Sequence, residues 1–482
     1  MNNKLSALFL FIILILSACQ QTSKIKPKAN EVNTLLRNIT IDALKNKDYT
    51  QAQRSINALI LNDADAWKFA SSAIVSLPKE AAYEVLENAL KNNFVNTSDK
   101  QLLNIAKIYI AFKDADKALS TVNDALQINK NNTDAHYFRA RLLTVLKKYQ
   151  QAESDFNFII KKQPKNEKYN DQYASFLQET GKFAQAQKVL ERIEPTPDNL
   201  FKRIIFALQN KNNTLAQSSY EQLIKLKPTT ETANQVNFIK GEAAYWTNKY
   251  DDAIKYYQQV KGGKRFLDAR EMLGGILYQQ KKYDESIEIL HQLQNAEEKY
   301  AIKAYATEAQ ILKQQGKNQQ AIETLSLGIS IIPNNSDLLY SRALIYAETG
   351  KIKKAEHDLQ AIIDQDADNA EALNALGYTW ADNDMKLDKA YEYISKAIRL
   401  DPENAAILDS LGWVQFKRGE YAEAEKTFNK AIAKDTNDPE LYIHQYKTQL
   451  KLNKIEEAKS TLNKAIKRFP DNKKLKEFLK SL

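Results

Sequence analysis

Small and apolar residues recur along this chain with a long period. Alanine returns at Ala52, Ala82, Ala118, Ala152, Ala186, Ala216, Ala253, Ala321, Ala355, Ala390, Ala424 and Ala458, and Ser286 fills the one gap. The mean interval is about 34 residues, the length of one helix–turn–helix unit. Twelve residues earlier stands a second small residue in most units: Ala70, Ala106, Ala140, Ala174, Gly241, Gly274, Ala309, Ala343 and Gly412, with Gly377 in a unit one residue longer. A large apolar or aromatic residue usually follows each alanine by four, as at Phe156, Tyr220, Tyr257, Leu290, Leu325, Ile394 and Phe428. Proline closes units at Pro164, Pro228, Pro333, Pro402 and Pro470.

The reason for these choices is steric. Antiparallel helices approach closely only where side chains are as small as Ala or Gly. The bulky residue is expected to fill the gap against the next hairpin, and proline to end the second helix. One hairpin cannot bury its own apolar face, whereas stacked hairpins can. The pattern therefore predicts an all-α chain, with about thirteen hairpins over 31–472 and a polar capping helix over 473–482 that carries Leu475, Phe478 and Leu479. No alternating strand pattern competes with it.

The clearest units read Leu373-x2-Leu376-Gly377-x2-Trp380 with Ala390, Ile394, Ala397 and Pro402, then Leu408-x2-Leu411-Gly412 with Gly419, Tyr421, Ala424, Phe428 and Ala431. These resemble the tetratricopeptide repeat, in a register running from about residue 33 to 472. The resemblance implies an α-solenoid in the form of a right-handed superhelix. Thr40, Ile204 and Tyr446 replace the expected small residue, so those hairpins are expected to splay. Pro195, Pro197 and the stretch from Pro228 to Val236 disturb the register, and Gly262-Gly263 interrupts another junction. Within 191–234 two readings stay open: a change of superhelical path, or an imperfect turn.

Composition narrows the picture further. The 482 residues include only 12 Gly, 10 Pro and a single Cys, and carry a net charge of +9. Residues 5–16 are almost continuously apolar behind Lys4, too short a run to span a bilayer comfortably. Leu16-Ser17-Ala18-Cys19 follows and matches the bacterial lipobox. Residues 1–18 read as a lipoprotein signal peptide, and Cys19 as the acylated first residue of the mature chain. With its one thiol blocked, the mature chain is left without a disulfide. The polar tether 19–30 reaches about 35 Å when extended. Gln20, where aspartate favours inner-membrane retention in similar lipoproteins, implies the outer membrane facing the periplasm.

His136, His291, His357 and His444 fall in different repeats without metal-ligand spacing, and read as partly exposed helix residues. No catalytic constellation, phosphate loop or cysteine pair is present, so no enzyme activity, metal, cofactor or small-molecule substrate is expected. Lys447 to Leu482 holds ten lysines and Arg468 against Glu456, Glu457, Asp471 and Glu477, a local excess of +7. That end reads either as an attractor of acidic partners or as a solubilising cap. No nucleic-acid partner is expected in the periplasm.

In repeats of this kind ligand lies against the first helix of each hairpin. The resemblance thus implies a partner-binding groove at Tyr340, Tyr378, Trp413 and Phe416, and an earlier one at Phe238, Tyr245, Trp246 and Tyr278. Such rings either anchor a partner chain or pack between hairpins. Trp67 stands alone near the start, and Trp380 reads as packing. Asn374, Tyr378 and Asp409 stand where the two-carboxylate clamp of chaperone-binding relatives would want lysine or asparagine, which argues against an acidic carboxy-terminal peptide.

Residues 372–382 with 406–414 look like a narrower group, the repeat lipoproteins of the proteobacterial outer membrane. That group includes the adaptor that brings peptidoglycan hydrolases to a periplasmic carboxy-terminal processing protease. A scaffold gathering such partners is the expectation. Assembly of a pilus secretin or of the outer-membrane insertion apparatus is its rival, and a cell-wall enzyme the least favoured reading.

Overall fold

The computed structural model describes residues 29–62, 66–91, 95, 97–434 and 438–481. The signal peptide, Cys19 and all but the last residues of the tether lie outside the described residues. Among the described residues there are twenty-seven helices and no strand. They pair into thirteen antiparallel hairpins followed by one last helix, Lys473–Ser481. Each hairpin packs on the one before and the one after it in sequence within its unit. By internal contacts the chain divides into two units, one ending at Lys225 with six hairpins and one starting at Leu226 with seven and the last helix.

The small residues are where the helices meet. The repeat alanines and their partners twelve residues earlier are essentially inaccessible to solvent. Ser286 is buried as well, and donates to the Gly274 carbonyl at 2.9 Å across its hairpin. The glycines mark the closest approaches. A β-carbon on Gly412 would stand 2.6 Å from the Phe428 ring, on Gly377 2.6 Å from Ile394, and on Gly241 2.7 Å from Tyr257. The bulky residue sixteen or seventeen positions on thus presses first into its own hairpin, not only into the next one as the sequence implied. Two of the three expected splays do not occur as such. Thr40 is buried with its hydroxyl 2.7 Å from Ser55, and Ile204 is fully buried. Tyr446 turns to meet Phe478 of the last helix, ring centroids 5.7 Å apart.

The turns explain the helix ends. In most hairpins one residue between first and second helix is left-handed: Lys47, Lys113, Lys147, Gly181, Lys211, Asn248, Lys281, Gly316, Gly350, Gly419 and Asn453. Between hairpins a Pro-x-Asn punctuation recurs at Pro164-Asn166, Pro333-Asn335, Pro402-Asn404 and Pro470-Asn472. Proline stops one helix, and the asparagine side chain caps the next by accepting from a first-turn N–H, as Asn335 does from Leu338 at 3.1 Å. Helix Phe183–Leu190 is only 8 residues long, and Thr196 with Pro197 starts the next helix. The last helix lays Leu475, Phe478 and Leu479 against Tyr442 and Ile443.

Candidate protein-binding surface

Position seven of the first helix, just before the small residue, carries a polar network the sequence reading missed. Arg139 clasps Asp155 in its own hairpin (2.7 Å, twice) and reaches back to Asn123 at 2.8 Å. Arg342 repeats this with Asp358 and Ser326. Tyr173 and Gln445 reach back likewise, to Asn157 and Asn429. The two arginines tie successive second helices together, while Tyr173 and Gln445 tie their own first helix to the preceding second helix. The signal was an arginine directly before the small residue with aspartate sixteen later. A second ladder runs along the turns: Lys182, Lys386 and Lys454 at the start of second helices pair with Glu153, Glu356 and Glu425 of the preceding second helix.

One histidine is not the partly exposed residue the sequence suggested, and a second is tied into the polar network. His444 is buried, stacked on Trp413 at 4.1 Å, with Nδ1 3.0 Å from Asp409. His136 stacks on Phe158 and bonds Asp155 at 2.6 Å. His291 and His357 are largely exposed. Among the described residues no group of three His, Cys, Asp or Glu comes together that could hold a metal ion.

The eight aromatic candidates divide by burial. Trp413 and Phe238 are only 5% exposed. Trp413 is enclosed by His444, Phe416 and the Lys447 ammonium, with its indole N–H on Asp382 at 3.1 Å. Phe238 packs on Tyr257, with the Arg265 guanidinium over its ring. These two are packing residues, because no ring face is left for a partner. Tyr340, Tyr378, Phe416, Tyr245 and Tyr278 are half-buried, and Trp246 is 52% exposed. Trp67 and Trp380 lie in the core.

Of the earlier group, Tyr245 borders an open cavity of about 380 Å³. First helices Ala233–Trp246, Phe266–Gln279 and Glu298–Gln314 wall it with Tyr245, Gly275 and Thr307, and Leu290 forms part of the floor. A β-carbon on Gly275 would meet nothing within 4 Å, so glycine there widens the cavity. Glu271 and Lys303 pair at its rim. The later group shares an acidic setting. Burial first, then Glu440, Asp382, Asp409 and Asp438, push the Tyr378 phenol well above its usual range. Burial likewise raises the Asp409 carboxyl, with His444 opposing.

Tetratricopeptide-repeat models match residues 206–266, 302–335, 340–384, 385–445 and 447–472. This is a tetratricopeptide-repeat solenoid. Repeats of this kind make a protein-interaction scaffold, and the first-helix surface is where its part-exposed rings and cavity lie. The chain is similar to TPR repeat-containing protein PA4667 of Pseudomonas aeruginosa, 34% identical over 38% of this chain and 31% of that one. It is 25% identical to the type IV pilus assembly protein PilF of the same organism, over 26% of this chain and 50% of that protein. The chain thus spans about a third to a half of the first curated relatives it matches. Among solved structures, a tetratricopeptide repeat protein from Parabacteroides merdae aligns with 17% identity and a TM-score of 0.43, covering 52% of this chain and 98% of that one. Among the described residues no helix is long and apolar enough to cross a membrane.

Proposed function

We propose that the protein is a non-catalytic scaffold, held to the outer membrane by acyl chains on Cys19 and facing the periplasm, whose first-helix surface gathers protein partners. The observation that carries this reading is the set of part-exposed rings on first helices, one of which, Tyr245, borders an open cavity. Large rigid rings give contact area at little entropic cost. In the finer form, one partner is a carboxy-terminal processing protease and another a cell-wall hydrolase. Binding both on one scaffold raises their effective mutual concentration without any chemistry by the scaffold itself.

A second reading, assembly of an envelope machine such as a pilus secretin, is favoured by the likeness to a type IV pilus assembly protein. Affinity capture of the full chain from membranes separates the two. A protease recovered with a hydrolase supports the adaptor, and a secretin supports assembly. Loss of membrane association and of acyl labelling in Cys19→Ser supports the anchor. A chain that stays on membranes unlabelled contradicts it.

A further inference from the structure

We propose that the first-helix surface of the last four hairpins docks an extended, lysine- or arginine-bearing segment of a partner protein. This deepens the scaffold reading and rests on it. Four neighbouring first helices build the surface: Ser336–Glu348, Ala370–Asp382, Ala405–Lys417 and Pro439–Lys451.

Its carboxylates come from the last three of these. Asp382, Asp409, Asp438 and Glu440 act together on the one Tyr378 phenol, and Glu371 acts on Tyr340. Asp438 caps the last of these first helices while remaining exposed. Asp409 is the deepest of the set, and burial with Asp438 and Glu440 raises its carboxyl. One turn before Tyr378 on the same helix, the Asn374 amide oxygen is buried and accepts no hydrogen bond. The cations nearby are already engaged. Lys417 holds Asp384 at 2.9 Å, the Lys447 ammonium lies 5.2 Å from the Trp413 ring, and His444 faces Asp409.

What is left is a surface of acceptors and negative charge with two aromatic rings, Tyr340 and Tyr378, on which no ring among the described residues stacks. A long cationic side chain matches each part. Its aliphatic stem lies along the tyrosines, its head gains cation–π attraction, and its N–H groups donate to Asp409 and Asn374. Anionic partners, including acidic peptides and lipid headgroups, are repelled by the same surface. Docking a cation beside Asp409 also favours its ionised form, so binding releases protons where that carboxyl is partly protonated.

The test is fluorescence anisotropy of a labelled lysine–glycine peptide on the full chain, with a glutamate–glycine peptide as control. The surface variant Glu371→Gln/Asp409→Asn/Asp438→Asn is compared with Asp251→Asn/Glu285→Gln/Glu288→Gln, which removes the same charge from exposed second-helix positions. Expected is a loss of about tenfold in affinity for the surface variant alone, with strong salt dependence in the wild type. The double variant Glu371→Gln/Asp438→Asn shows a smaller loss and covers the case in which Asp409→Asn misfolds. Equal weakening by both triple variants means diffuse charge and overturns the docking surface. Partners captured undiminished by the surface variant overturn it while leaving the scaffold reading in place. Salt-reversible self-association abolished by that variant gives the surface to a second copy, which also overturns the proposal.

Discussion

The guanidinium of Arg342 holds the Asp358 carboxylate by two hydrogen bonds, of 2.8 and 2.9 Å, and spends a third on Ser326 of the preceding second helix. Asp358 is 2% exposed, and Arg342 is the cation that compensates its buried charge most closely. Removing one partner of a buried pair leaves an uncompensated charge, which costs about 3–5 kcal/mol. Arg342→Ala is expected to lower the unfolding free energy by that order, read as a lower urea midpoint. Arg342→Met with Asp358→Leu is expected to recover most of the loss. A single variant as stable as wild type would show the pair to be idle.

Glycine plays opposite parts at two places on first helices. At Gly412 a β-carbon collides with the Phe428 ring, whereas at Gly275 it meets open space. Gly412→Ala is expected to destabilise by about 1–3 kcal/mol through overpacking. Gly275→Ala is expected to stabilise by about 1 kcal/mol through helix propensity, while narrowing the cavity beside Tyr245. Thermal melts of the two variants, shifted in opposite directions, check this pair.

Lysine occupies the left-handed turn position at Lys147 (φ 57°), where Gly181, Gly316, Gly350 and Gly419 stand in other hairpins. A β-carbon in that conformation costs roughly 1–2 kcal/mol, part of which glycine returns as unfolded-state entropy. Lys147→Gly is therefore expected to raise stability by about 0.5–1 kcal/mol, read from the denaturation midpoint.

Much of this was legible in the sequence. Sterics repeat: the alanine positions fix which residues touch, and thirteen hairpins emerged where about thirteen were expected. The polar interior was not legible in the same way. Arg342 and Asp358 lie sixteen residues apart on different helices, and only the recurrence of that spacing at Arg139 and Asp155 marks them as partners. Trp413 fits both a groove position and a packing position. Only the arrival of His444 from the next hairpin, stacked at 4.1 Å, decides for packing. Substituting Trp413 would therefore test stability rather than binding, and Tyr378 is the better probe.

The Asp155 carboxyl gives the fold an acid-sensitive point. Burial pushes its pKa up, but hydrogen bonds from Arg139 and His136 hold it below the ordinary carboxylate range. A depressed folded value contributes stability that is fully present above the unfolded value of about 4. That stability is lost as pH falls through the lower folded value. Asp155→Asn is expected to unfold more easily than wild type near neutral pH, with the gap closing below about pH 4. A gap independent of pH would show that the carboxyl's charge is not what matters.

Site-directed photo-crosslinking tests the scaffold most directly. A benzophenone side chain would be placed at Tyr245 or Tyr378 on the first-helix surface, or at Leu327, which is 54% exposed on a second helix. Irradiation of membranes is expected to give protein adducts from Tyr245 and Tyr378 and none from Leu327. Adducts from Leu327 alone, or from no position, would contradict a first-helix surface that gathers partners.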